Sequence, residues 1–277
     1  VPLRFEKWEG LGNDFIILAE EDAGGLDVRA ISDRHRGIGA DGVLLVGRSG
    51  EGPPSMRVRN ADGSEPEMCG NGLRCVALHL VRSGRCPAGR PFVVDTGAGP
   101  HTCEVVDPSA GLVRVAMRPA SLEPGSIPTT LPAERGAVLE RAIDLGGHRL
   151  TISCVSMGNP HAVTFDALDA PQRAALGPRL EGATALFPAR VNAGFARLTG
   201  PRAIELFVHE RGAGWTEACG TGACAAAVAA VATGRIAGPG AIAVTLPGGT
   251  LSIEVPGPGQ PVQMTGPARR VFVGELA

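Results

Sequence analysis

Apolar and polar residues alternate along 3–8 (LRFEKW), the pattern of a strand with one buried face. A turn at 10–14 leads to an apolar run at 15–18, read as a second, buried strand. A short helix is expected over 27–34, and further strands over 43–46, 56–58, 91–94, 102–106 and 112–117. The second part of the chain runs similarly. Strands are expected at 149–155, 162–165, 191–195, 203–208, 242–246, 250–255, 262–265 and 271–273, with a helix over 171–180. Turns are expected at 60–64, 156–161 and 210–214. Two longer apolar runs have helical length, one from Leu73 to Gly84-Arg85, the other from Ala223 to Gly234-Arg235. The segment 119–132, with four prolines, reads either as a crossover between two halves or as a surface loop. The whole is strand-rich with about one principal helix per half, an α+β pattern.

The two long helices are preceded by related sequences. Residues 67–77 read EMCGNGLRCVA and residues 217–227 read EACGTGACAAA, so Cys69 and Cys219 stand 150 positions apart. Upstream of each, Gly12-Asn13-Asp14-Phe15 matches Gly158-Asn159-Pro160-His161, with the asparagines 146 apart. Two marker pairs at nearly one offset indicate an internal duplication, which would set the two cysteines facing each other across a cleft. Each cysteine precedes Gly-X-Gly at a helix start, where backbone N–H groups are unpaired and carry partial positive charge. A thiol there is expected to have a lowered pKa and to ionise near neutral pH. The same N–H donors suit a carboxylate.

Composition narrows the partners. A length of 277 residues fits two domains. The net charge of -2 argues against nucleic acid. No run reaches a membrane span, the smooth stretch 223–232 being too short. The opening VPLRFEKWEG lacks the features of a signal peptide, so a cytoplasmic location is expected. Seven cysteines without a CxxC pair match no common zinc pattern and no disulfide framework, and no metal or pyridoxal ligand set is visible. Lys7, the only lysine, lies in the opening strand with no motif around it, against Schiff-base chemistry. The glycine-rich 37–42 (GIGADG) enters a strand instead of opening a helix, which makes it a weak phosphate signal.

Each candidate has a bland reading beside the chemical one. Cys75, Cys86, Cys103, Cys154 and Cys224 read as small core residues. Asn13, Asn60, Asn159 and Asn192 lie near glycine, proline or turns, where asparagine serves local geometry as readily as a ligand. Glu210-Arg211 is either a surface ion pair of little worth or a grip on an ammonium and a carboxylate. His161 is a structural donor or a catalytic group. Two facing thiols suit the inversion of a carbon centre, where one face needs a base and the other an acid. Helix-start N–H groups on an α-carboxylate would steady the developing carbanion.

The runs GLGNDF (10–15), DRHRGIGADG (33–42), NADGSEPEMCGNGLRC (60–75), SMGNPH (156–161), ERGAG (210–214), ACGTGACA (218–225) and MTGPA (264–268) span nearly the whole chain. In them the sequence resembles the diaminopimelate epimerase family, and the Asn71 of MCGNG separates it from the related proline racemases, which typically carry histidine there. The resemblance implies a cofactor-independent two-base epimerase that converts LL- to meso-diaminopimelate in lysine biosynthesis. Cys69 and Cys219 match the family's acid/base groups, and His161 and Glu210 match positions that assist catalysis. Asn13, Asn60, Asn159, Asn192, Glu210 and Arg211 match substrate contacts. Gly70-Asn71 and Gly220-Thr221 match the backbone donors to the reacting carboxylate. The implied fold is two pseudo-symmetric halves, each a strand-built, barrel-like sheet around a central helix. The first half comprises 1–118 plus 266–277 and the second 119–265, with the active site between them. A homodimer is part of the same expectation. Phe272 stands where some members have a tyrosine linked to dimer contact. Trp215 stands where the family often has a carboxylate, close to Cys219, and Glu9 where many members have histidine or glutamine.

Two other readings fit the same residues. One is racemisation or epimerisation of another amino acid on the same fold, which would not need the distal grip of Asn192, Glu210 and Arg211. The other is a non-enzymatic redox or metal-binding protein using the cysteine pair.

Overall fold

The computed structural model describes residues 3–47 and 52–276. The chain forms two compact units, one of Val1–Ala116 with Thr265–Ala277, the other of Met117–Met264. In the first unit the elements run β1 (Leu3–Gly10), β2 (Asn13–Ala19), α1 (Val28–Ser32), β3 (Gly42–Gly47), β4 (Ser55–Asn60), α2 (Gly70–Arg82), β5 (Phe92–Thr96), β6 (Gly99–Asp107) and β7 (Leu112–Pro119). In the second they run β8 (Arg141–Asp144), β9 (Arg149–Ser156), β10 (Pro160–Thr164), α3 (Ala170–Glu181), β11 (Asn192–Gly200), β12 (Ala203–Glu210), β13 (Gly214–Thr216), α4 (Gly220–Ala232), β14 (Ala241–Leu246), β15 (Gly249–Glu254) and β16 (Pro261–Pro267). The last strand, β17 (Arg269–Leu276), returns to the first unit and pairs antiparallel with β1. The chain passes between units within β7 and within β16.

Each unit wraps strands around one helix. α2 packs on β1, β2, β3, β4, β6 and β17, and α4 on β9, β10, β11, β12, β14 and β15. α4 is apolar all round, and Gly222 through Ala230 are buried without exception. A helix of that composition belongs inside a core, and its alanines let strands approach closely from every side. α2 reaches the same position with larger side chains. Leu73, Leu78 and Leu80 are wholly buried, and so is the charged Arg74.

The duplication extends to backbone detail. Cys69 (φ -133, ψ 115) and Cys219 (φ -115, ψ 104) cap their helices in the same extended conformation. At the other ends, Gly84 and Gly234 both have φ 72. In each case the N–H of the following arginine bonds five residues back, Arg85 to Leu80 and Arg235 to Ala230. That is the glycine-terminated helix stop that only a residue tolerant of positive φ makes cheaply.

Several expectations are refined. Pro160 and His161 lie in β10, not in a turn, because the turn closes at Gly158 (φ 95). Glu210 ends β12 and Gly214 opens the three-residue strand β13, so the turn of the ERGAG run is confined to residues 211–213. β8 and β13 are too short to show an alternation in sequence. The proline-rich 119–132 belongs to the second unit. Ile127 is wholly buried in that unit's core, and the Thr129 hydroxyl and the Thr130 N–H both donate to the Leu186 carbonyl.

Candidate active site

In the first unit four strand ends converge. Gly10 of β1 pairs with Asn13 of β2, Phe15 of β2 with Gly42 of β3, and Gly42 with Asn60 of β4. Asn13 and Asp41 therefore lie on neighbouring chains beside the start of α2. Asn13 Oδ1 accepts from the Cys69 thiol at 3.9 Å and from Asn71 Nδ2 at 3.4 Å, while Asn13 Nδ2 donates to Asp41. Gly70, the first residue of α2, turns its carbonyl toward Arg74 Nη1 at 3.4 Å. A Cβ added at Gly72 would lie 2.9 Å from the tip of the Leu44 side chain, which would have to shift to admit it. Asn60 stands apart, and its side-chain amide donates to Ser64 Oγ at 2.9 Å. Cys69 is half-buried.

In the second unit a chain of polar contacts runs to Cys219. His161 Nε2 meets Asn159 Oδ1 at 3.0 Å, Asn159 Nδ2 donates to Thr221 Oγ1 at 3.3 Å, and Thr221 Oγ1 lies 3.6 Å from Cys219 Sγ. The Gly222 N–H donates to the same sulfur at 3.3 Å. β10 and β11 run parallel with His161 beside Asn192. Asn192, 3% exposed, donates to the Pro160 carbonyl and accepts from the Arg211 N–H, so it fixes the backbone between Glu210 and the turn. Glu210 accepts from Thr216 Oγ1 at 2.6 Å. The Arg211 guanidinium donates to the Ala189 carbonyl instead of pairing with Glu210. Gly220 packs against Met264, whose sulfur would be 3.0 Å from an added Cβ.

The expectation of a readily ionised thiol is overturned for Cys219. Burial pushes its pKa well above the ordinary thiol value, and the nearby Glu210 carboxylate pushes it further; the bonds from Thr221 and Gly222 act the other way and are outweighed. Helix-start donors lower a thiol pKa only where desolvation does not exceed them. Burial likewise lowers His161, to about 3, with the Arg211 cation adding to the effect, so its imidazole is neutral at neutral pH. Cys75, Cys103, Cys154 and Cys224 are buried as expected of core residues, whereas Cys86, expected in the core, is only half-buried. Burial raises Cys103 and Cys154 to about 12, and Cys75 higher still.

Several positioning groups gave little sign in the sequence. Lys7 is buried, ion-paired to Asp14 at 2.6 Å and bonded to the Gly39 carbonyl. Arg34 bridges Asp14 and Asp41, each at 2.7 Å. Burial works to raise the Asp14 pKa, but the bonds from Arg34 and Lys7 outweigh it and hold it at about 2. Glu181, 3% exposed, accepts from the Gly212 N–H and pairs with Arg190, anchoring the turn after Arg211. Arg34 and Asp41 do lie in the DRHRGIGADG run, but nothing in its spacing assigns them partners. Trp215 packs on Phe195 and, edge to face, on His209, with ring centroids 5.7 and 5.2 Å apart.

The profile of the diaminopimelate epimerase family matches residues 5–123, mostly in the first unit, and 153–271, mostly in the second. Relatives of full length include diaminopimelate epimerases of Desulforudis audaxviator (46% identical, covering 99% of both chains), a Cyanothece species (45%, 100% of both) and Acaryochloris marina (43%, 98% of both). Among solved structures, a hydroxyproline epimerase from Agrobacterium vitis superposes with a TM-score of 0.69 at 14% identity, over 99% of this chain and 91% of that one. A phenazine biosynthesis protein of Bacillus anthracis does so with a TM-score of 0.69 at 15% identity, over 100% and 99%. These structures share the fold of strand-built halves around central helices. With matching sequence in both units, full-length relatives at this identity and paired cysteine caps on equivalent helices, the chain belongs to the diaminopimelate epimerase family.

Proposed function

We propose that this protein is a diaminopimelate epimerase, interconverting the LL and meso forms in lysine biosynthesis with no cofactor. The observation that carries the reading is the pair of cysteines capping equivalent helices in one backbone conformation, in a chain of this family. Inversion needs one substrate carbon presented to two proton carriers. A thiolate takes the α-proton, breaking the C–H bond and leaving its electron pair on a carbanion conjugated with the carboxylate. A thiol on the opposite face then delivers its proton to that carbon, so one C–H bond breaks, one forms, and thiol and thiolate exchange roles. The N–H groups of Gly70-Asn71 and Gly220-Thr221, at helix starts, are suited to the carboxylate as it gains charge.

Around this step the second unit offers a neutral imidazole, His161, that fixes Asn159. The exposed Arg211 is offered to the distal amino-acid head, with Asn192 holding the backbone behind it, while the Glu210 carboxylate stands beside the Cys219 sulfur. Trp215 packs against Phe195, His209 and Gly177 and leaves 43% of its surface exposed.

A homodimer through β17 belongs to the same proposal. This strand exposes Val271, Phe272 and Val273, 49%, 45% and 57% exposed, and Phe272 is steadied edge-on by Phe5. No helix among the described residues is long and apolar enough to cross a membrane, which is compatible with the proposed cytoplasmic location.

The test is proton exchange into LL-diaminopimelate in D2O, followed by NMR, with purified protein, reductant and no added cofactor. Deuterium at one α-carbon together with meso product is the expected result. Binding without exchange would sink this reading and turn attention to another amino-acid substrate.

A further inference from the structure

The amides beside Cys69 form a row whose polarity is set at both ends by charge. Arg74, wholly buried, can only donate, and its Nη2 bonds to Asn71 Oδ1 at 2.9 Å. Asn71 must then turn Nδ2 outward, and that group donates to Asn13 Oδ1. At the far end the Asp41 carboxylate can only accept. Its Oδ2 takes Asn13 Nδ2 and the Asp14 N–H, and its Oδ1 takes Arg34 Nη2. Neither amide has freedom to flip. A carbonyl oxygen, that of Asn13, is therefore what Cys69 Sγ meets at 3.9 Å.

We infer that Arg74 and Asp41 are positioning residues for Cys69. They lock the Asn71 and Asn13 amides so that an acceptor faces the Cys69 sulfur and favours its thiol over its thiolate. A thiol can donate to that oxygen, whereas a thiolate would face a carbonyl dipole of the wrong sign. The inference rests on Cys69 being one of the two proton carriers of the proposed reaction.

Charged groups around this end of α2 include Arg74 on the helix and Glu9 on β1, both of which act on the neighbouring Cys75, as Cys69 itself does. Beyond Asn13 lie Lys7 and Arg34 against Asp14 and Asp41, two cations and two anions joined in pairs. Because that group is balanced in charge, its hold on Cys69 comes from orientation more than from net field.

Asp41→Asn breaks the lock. The Arg34 cation claims the new amide oxygen, which leaves Nδ2 against Asn13; Asn13 then meets a donor on both sides, from position 41 and from Asn71, and its oxygen is no longer held on the sulfur. The substitution also removes a negative charge, so it is read in a cycle with Asn13→Ala. The measurement is the pH dependence of iodoacetamide alkylation of the Cys69 peptide, followed by mass spectrometry, which needs no catalysis. In the wild-type background Asp41→Asn is expected to lower the midpoint, raising alkylation at pH 7 by about threefold. In the Asn13→Ala background no shift is expected. Equal shifts in both backgrounds would reduce Asp41 to a plain charge effect and overturn the inference, and so would no shift in either. Should Asp41→Asn fail to fold, Asp41→Ala, which deletes the acceptor from the exposed loop, takes its place in the same cycle. An epimerase assay on the unmodified protein separates failure of this inference from failure of the two-thiol reading.

Discussion

At the scale of single residues, burial decides more than local position. Cys219 sits at a helix start, where the sequence predicts easy ionisation, yet desolvation and the Glu210 charge hold its proton on. Removing that charge in Glu210→Gln is expected to lower the Cys219 pKa and speed its alkylation at pH 8 by about threefold; an unchanged rate would show that Glu210 does not act on the sulfur. Cys69→Ser and Cys219→Ser are each expected to nearly abolish epimerisation, and wild-type turnover by either would remove the two-thiol mechanism. His161 has a folded pKa of about 3 against an ordinary value of 6.5. Between those values the unfolded chain binds the proton and the folded chain does not, so stability falls as pH falls through that window. The loss is on the order of 3 kcal/mol by pH 4. A urea titration of wild type and His161→Asn across pH 7 to 4 checks this, the variant being expected to lack that part of the slope.

At the scale of elements, the Gly-X-Gly after each cysteine is a packing requirement as much as a source of N–H donors. A methyl added at Gly222 would lie 3.1 Å from both Cys219 Sγ and Val208. Alanine is a better helix former than glycine by about 1 kcal/mol, so Gly222→Ala should keep the melting temperature near wild type. Because it displaces the sulfur, it should cost about tenfold or more in kcat. A loss of stability with kcat retained would contradict this. In α2, Leu78→Ala empties a fully buried position and should cost about 2–5 kcal/mol in chemical denaturation. The helices were legible in the sequence because their apolar runs are long and end in Gly-Arg. The strands β8 and β13 were not, since four and three residues are too few to carry a period.

At the scale of the whole molecule, the exposed apolar strand β17 is expected to mediate self-association. Phe272→Asp should shift the protein toward monomer in sedimentation, and an unchanged mass would exclude this face. The sequence by itself determined the internal duplication, the α+β pattern, the family and the two capping cysteines, because these are written in residue types at fixed spacings along the chain. Tertiary structure alone decided which groups meet. Lys7 lies on β1 and Arg34 and Asp41 in the loop before β3, and the pairing of β1, β2 and β3 brings them to Asn13; Arg74 is buried where α2 packs on its ring of strands. It also decided the protonation of Cys219 and His161, since desolvation depends on everything packed around a group and leaves no mark in its own sequence neighbourhood.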